Sequence, residues 1–189
     1  MLRLVTPHFR AGIAVAFAWS TTGAIAAGPE RAPFSPYVDA KGTITLPKDF
    51  RTRWTHLGSW VVQQDGAPGQ GFHDVYTEPA SAASFRKTGQ WPDGATLVKE
   101  IRGITSGPLT TGPALWAGDN KVWFVMVKDS KGRHAGNVNW GDGWGWALFD
   151  AKQPSTNASV SYQKDCLGCH TPAKATDWVF LQGYPTLAR

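Results

Sequence analysis

Polar and apolar residues trade places every few positions along this chain, and Gly or Pro often separates the runs. That rhythm favours the strands of a half-buried sheet over long helices. The segments 95–104 and 121–128 are the clearest strands, rich in Val, Ile, Leu and aromatic residues. Shorter strands are predicted at 58–63 and 72–77, with a last one at 178–181 that Gln182-Gly183 ends. Leu46-Pro47-Lys48-Asp49 opens a short helix running to Thr55, with Trp54 on its apolar side. Pro79 stands where a first helical turn tolerates proline, so 79–88 is predicted helical. A third short helix is expected at 161–168. Lys41-Gly42 and Asp93-Gly94 are turn signals. Asn139-Trp140-Gly141-Asp142-Gly143-Trp144-Gly145-Trp146 reads as a Gly/Trp loop that leads into 147–149. No stretch keeps a 3.6-residue period long enough for a helical bundle. The expected fold class is mainly β (α+β): one antiparallel β-sheet domain with a few short helices.

The N-terminal residues follow a different pattern. Arg3, His8 and Arg10 make a basic start, and 11–19 is an apolar run too short to cross a bilayer. Ala24-Ile25-Ala26 then supplies the small-x-small pattern of a signal-peptidase site. The expectation is a signal peptide at 1–27 and an exported domain at 28–189, entered through the proline-rich lead-in 28–36. An uncleaved anchor is the alternative. Losing Arg3 and Arg10 with the leader takes the formal net charge from +5 to +3. No Lys/Arg stripe accompanies that mild charge, so nucleic acid is a poor partner. The mild charge reads as ordinary solvated surface, with a slightly basic face for docking an acidic redox protein as the alternative. With 42% hydrophobic and 17% charged residues, the chain is globular rather than disordered.

The chemistry is concentrated at Cys166-Leu167-Gly168-Cys169-His170, the C-x-x-C-H pattern of covalent haem attachment. Two thiols three positions apart reach the two vinyl groups of a porphyrin, and the following His170 falls under the iron. An exported chain fits this, because such haems are attached outside the bacterial cytoplasm. A Cys166–Cys169 disulfide and a thioredoxin-like redox pair are the competing readings. A zinc site is disfavoured, since the chain has only 2 Cys. The sixth iron ligand has few candidates in the exported part: Met126, His56, His73 and His134. Met126 lies in an apolar strand and reads as core. An open distal iron position is therefore expected, suited to binding small molecules.

The chain resembles the cytochrome P-460 family, which includes the β-sheet cytochromes c′. The resemblance rests on Ile44-Thr45-Leu46-Pro47-Lys48, Val75-Tyr76-Thr77-Glu78-Pro79 and Phe85-Arg86-Lys87-Thr88-Gly89. It continues through Asp93-Gly94-Ala95-Thr96-Leu97-Val98-Lys99-Glu100 and Val127-Lys128-Asp129-Ser130. It closes with the haem motif, Lys174-Ala175-Thr176-Asp177 and Tyr184-Pro185. The resemblance implies a mainly antiparallel β fold, often a homodimer, holding one five-coordinate haem c. It also implies that Lys99 contacts the porphyrin and is cross-linked to it. Period-2 alternation puts Lys99 on the face of Leu97 and Ile101, while Val98, Glu100 and Arg102 share an opposite face that looks solvated. The alternative for Lys99 is a packed stem with its ammonium reaching out to water.

Where namesake members of that family place a distal carboxylate, the ungapped count puts Phe124. An apolar cap there resembles the β-sheet cytochromes c′, which bind nitric oxide; an ordinary core aromatic is the alternative. His73 falls where the family often has another polar residue. Trp140, Trp144 and Trp146 line either the pocket or the core. Taken together, these features predict a periplasmic monohaem c-type cytochrome. Its open iron binds or oxidises small nitrogen species, hydroxylamine or nitric oxide, and its electrons pass to a partner protein. A non-enzymatic gas binder and a plain electron carrier are the rival expectations.

Overall fold

In the computed structural model the chain divides into two units, Met1–Arg31 and Ala32–Arg189. The structure describes Met1 and residues 34–188. The expected signal peptide and its Ala24-Ile25-Ala26 site lie outside the described residues. Among the described residues no helix is long and apolar enough to cross a membrane.

The second unit is built on one six-stranded antiparallel sheet. Its strands are β1 (Thr55–Val62), β2 (Gly71–Thr77), β3 (Thr96–Leu109), β4 (Gly112–Lys128), β5 (Trp140–Gly141) and β6 (Trp144–Asp150). They lie in the order β1-β2-β3-β4-β6-β5. Helix α1 (Phe50–Arg53) precedes the sheet and α2 (Pro79–Thr88) joins β2 to β3. After the sheet come α3 (Tyr162–Asp165) and α4 (Leu167–His170). The mainly β expectation therefore holds.

Both faces of the sheet are covered, which gives two cores. On one face, Val75, Leu97, Met126, Trp144 and Trp146 pack under α2 and the C-terminal segment, with Phe85, Trp91, Cys166, Trp178 and Val179. On the other, Val98, Val125, Val127, Ala147 and Phe149 pack under Val38, Ile44 and Phe50 of the N-terminal segment. The face of Val98 and Glu100, expected to be solvated, is thus buried, and both residues have 0% exposure. The cause is a long-range one. The segment carrying α1 folds across that face, and Arg51 delivers its guanidinium to the Glu100 carboxylate. Asn120 Nδ2 (3.0 Å) and Trp123 Nε1 (3.3 Å) also donate to Glu100. A buried carboxylate needs such partners to stay charged.

Three other elements differ from expectation. The two central strands run far past 104 and start before 121. Beyond Arg102, β3 pairs only with β4, so residues 103–118 form a two-stranded ribbon outside the main sheet. Pro108 and Pro113 face each other there, where no neighbouring strand needs their missing N–H. The Gly/Trp stretch is a hairpin rather than a loop. Asp142 (φ 54°) and Gly143 (φ 81°) form its tight turn, with the positive φ pair that matches strand twist. Finally, 178–181 is no strand. Asp177 (φ 55°) and Trp178 (φ 66°) are both left-handed, which breaks the extended path. The chain instead proceeds by short 3-10 turns at Leu181–Gly183 and Pro185–Leu187.

Candidate functional site

The C-x-x-C-H segment is delivered by two short helical turns that break at Cys166 (φ −125°). Ser161 caps the first, its Oγ accepting from Lys164 N at 3.3 Å. Asp165 ties the entry down by accepting from the amides of Val160 (2.6 Å) and Ser161 (3.3 Å). Cys166 is buried, Cys169 is exposed, and both are free thiols. Burial first, then the nearby Asp165, pushes the Cys166 thiol up to about 11, so it stays protonated.

His170 follows at once. Its Nδ1 lies 2.7 Å from the carbonyl oxygen of Trp178. A carbonyl only accepts, so Nδ1 carries the proton and Nε2 presents a bare lone pair. Burial lowers the pKa of His170, the Trp178 carbonyl opposes that shift, and Lys99 adds a further lowering. The imidazole is therefore neutral at neutral pH. Trp146 meets it edge-on at 4.9 Å between ring centres, and Phe180 lies at 5.8 Å.

Strand register arranges the sheet face opposite in three rows. Leu97, Met126 and Trp146 form the first row, and Trp146 is the residue that touches His170. Val75, Lys99, Phe124 and Leu148 form the second. Trp60, His73, Ile101 and Val122 form the third, farthest from the His170 side. Lys99 Nζ stands 4.6 Å from the centre of the Phe124 ring. Lys99, Phe124 and Leu148 are only half-buried, a band of side chains left uncovered between the two ends of this face. Burial pushes the pKa of Lys99 down, while Cys169 and Cys166 pull it up, so the ammonium lies within electrostatic reach of both thiols.

The structure thus gathers Cys166, Cys169, His170, Lys99 and Phe124 around one face. The other candidates separate. Met126 is packed in the core between Leu97 and Trp146. His56 contacts Tyr76, and His134 lies against Phe34 and Trp140, both on the opposite side of the sheet. Trp140 belongs to that second core, whereas Trp144 and Trp146 share the site's own core.

His73 gains weight from its surroundings. It is 6% exposed and stacks on Trp60 at 5.0 Å. Its Nε2 donates to the Gly69 carbonyl at 2.6 Å, which leaves Nδ1 a buried acceptor with no partner. Burial lowers its pKa, with Lys99 adding to the effect, and so keeps it neutral. The sequence pointed to it only through the family resemblance; alternation along β2, which puts His73, Val75 and Thr77 on one face, is a signal that could also have found it. The Trp178 carbonyl left no such signal, because any residue supplies one.

These donors suit a haem: a thiol pair one helical turn apart, a neutral imidazole with a free Nε2, and an apolar band facing them. Among the described residues no three His, Cys, Asp or Glu side chains gather into a group that could hold a metal ion. A neutral imidazole and a thiol pair set against one face of an antiparallel sheet are the donors that a haem-binding cytochrome would need. The family model for cytochrome P460 matches residues 47–181, and the chain belongs to that family. No curated protein sequence matches it.

Proposed function

We propose that residues 28–189, after export to the periplasm and removal of 1–27, carry one haem c bound through Cys166 and Cys169. His170 Nε2 holds the iron, and the opposite iron position stays open to small nitrogen species. The observation that carries this reading is the His170 Nδ1 to Trp178 carbonyl hydrogen bond, which leaves Nε2 free on a ring that lies within electrostatic reach of Lys99. The row order supports an open distal side. Met126 belongs with Trp146 in the row nearest His170, so it serves the proximal wall. Lys99 would contact the macrocycle; the stronger form of that contact, a bond from Nζ to a ring carbon, would replace an N–H and a C–H bond and release two protons and two electrons to an external oxidant such as a peroxide. The lowered pKa of Lys99 favours the uncharged, nucleophilic amine.

Bound there, the haem supplies an electron acceptor and a coordination site for hydroxylamine or nitric oxide. The chain's own residues orient the ligand and handle its protons. Phe124 restricts the space to small molecules. His73 is the proton acceptor of the third row, because its Nδ1 is buried, neutral and unpartnered. Electrons leave to a partner redox protein. A homodimer is part of the same reading, supported by Leu109, Leu115 and Trp116 exposed on the projecting ribbon.

The apolar Phe124 favours one rival, a nitric oxide binder without turnover. Mixing the holoprotein with hydroxylamine and a soluble electron acceptor separates the two. Steady acceptor reduction is expected, and His73→Phe is expected to slow it about 100-fold, as for loss of a general base. Nitric oxide binding with no hydroxylamine turnover would leave the gas binder standing.

A further inference from the structure

Two stretches of the sequence pattern have so far had no role: Val127-Lys128-Asp129-Ser130 and Lys174-Ala175-Thr176-Asp177. The fold brings their charged ends together. Lys128 closes β4, and its Nζ donates to both Asp177 carboxylate oxygens at 2.8 Å. The Lys128 side chain is 13% exposed, and its Nζ stands 4.8 Å from the centre of the Trp144 ring. Trp144 Nε1 donates to the Asp177 main-chain carbonyl at 3.1 Å and to Oδ1 at 3.2 Å. Asp177 is thus gripped by side chain and backbone at once.

The grip falls on an unusual piece of backbone. Asp177 (φ 55°) and Trp178 (φ 66°) are successive non-glycine residues in the left-handed region. Such residues persist only where their surroundings over-determine them. The next carbonyl along, that of Trp178, is the acceptor for His170 Nδ1 at 2.7 Å. Rotation of this turn would swing that carbonyl off the imidazole. An ion pair whose carboxylate is 39% exposed adds little to global stability, so its placement calls for another reason.

We infer that Lys128 and Asp177 are positioning residues for the proximal ligand. They hold the 177–178 turn left-handed, so the Trp178 carbonyl keeps its hydrogen bond to His170 Nδ1. That bond fixes the ring's orientation and makes Nε2 a stronger donor to iron. The inference rests on the reading that His170 holds a haem iron.

The test uses the purified holoprotein and the variants Lys128→Met, Lys128→Arg and Asp177→Gly. Glycine takes positive and negative φ about equally, so Asp177→Gly removes the tie and lets the turn rotate, without the strain that would keep the chain from folding. Three quantities are read: haem c content, the ferric/ferrous midpoint potential, and the iron–histidine stretching frequency of the ferrous protein. Lys128→Met and Asp177→Gly are expected to retain haem, with a more positive potential and a lower stretching frequency. A weaker donor stabilises ferric iron less, which sets both signs. The double variant is expected to shift no further than either single one, and Lys128→Arg is expected to recover most of the shift. Wild-type potential and frequency in haem-loaded variants would overturn the inference and leave the function standing. A wild-type protein with no haem on Cys166 and Cys169 would overturn both.

Discussion

A histidine ring has two nitrogens, and the proton on one decides what the other does. In His170 the Trp178 carbonyl claims Nδ1–H and frees Nε2. Lys99 is decided in a similar way by its neighbours. Its ammonium lies against the Phe124 ring and in reach of both thiols, and burial pulls its pKa down. The proposed thioethers would remove the opposing influence of the two thiols and leave burial as the governing one. Lys99→Met therefore tests the macrocycle contact directly. The reduced wild type is expected to show a strongly red-shifted main band, and the variant an ordinary c-type one. Identical spectra would mean that Lys99 leaves the ring unmodified. The candidate haem motif was legible in the sequence because the proposed chemistry rests on spacing alone. The hydrogen bond that orients His170 was not, because it depends on two left-handed residues that no propensity favours.

Strand β3 carries opposite functions on its two faces. Lys99 points to the site, while Glu100 points into the second core with Arg51, Asn120 and Trp123 as partners. Burial alone would raise the Glu100 pKa, but the Arg51 and Asn120 hydrogen bonds win and it falls below 4.5. The unfolded chain therefore takes up this proton at a higher pH than the folded one. Glu100 contributes stability above the ordinary Glu range, and that contribution is lost as pH falls through its lowered folded value.

Arg51→Met leaves a carboxylate buried against uncharged partners. It is expected to cost about 3 kcal/mol in urea unfolding at pH 7, the low end for a broken buried pair because Arg51 is itself part-exposed. A loss under about 0.5 kcal/mol, the range of ordinary surface changes, would mean that Asn120 and Trp123 suffice. Alternation in the sequence gave Lys99 its correct companions, Leu97 and Ile101. The solvated reading of the other face failed because what covers it comes from α1, nearly fifty residues upstream. The ribbon at 103–118 escaped notice for a local reason. Its Gly and Pro argue against a central strand, and this part of the hairpin has no outer neighbours.

At the scale of the whole molecule, a two-sided sheet separates support from chemistry. The N-terminal segment seals one face with Val38, Ile44 and Phe50. The other face is sealed at one end by α2 and the C-terminal turns, and near Lys99 and Phe124 it stays partly open. The wall that a bundle cytochrome builds from long helices would, in the proposed reading, be built here from alternate residues of β2, β3, β4 and β6. That is why a chain with no long helical period can still be a cytochrome.

The central claim is that this face holds one haem through His170 and leaves the far iron position free. The most direct test is the absorption spectrum of the dithionite-reduced protein before and after carbon monoxide. A high-spin spectrum that changes at once on adding the gas is the predicted result. A low-spin spectrum indifferent to carbon monoxide would mean that a side chain such as Met126 or His73 closes the iron, and would contradict the account.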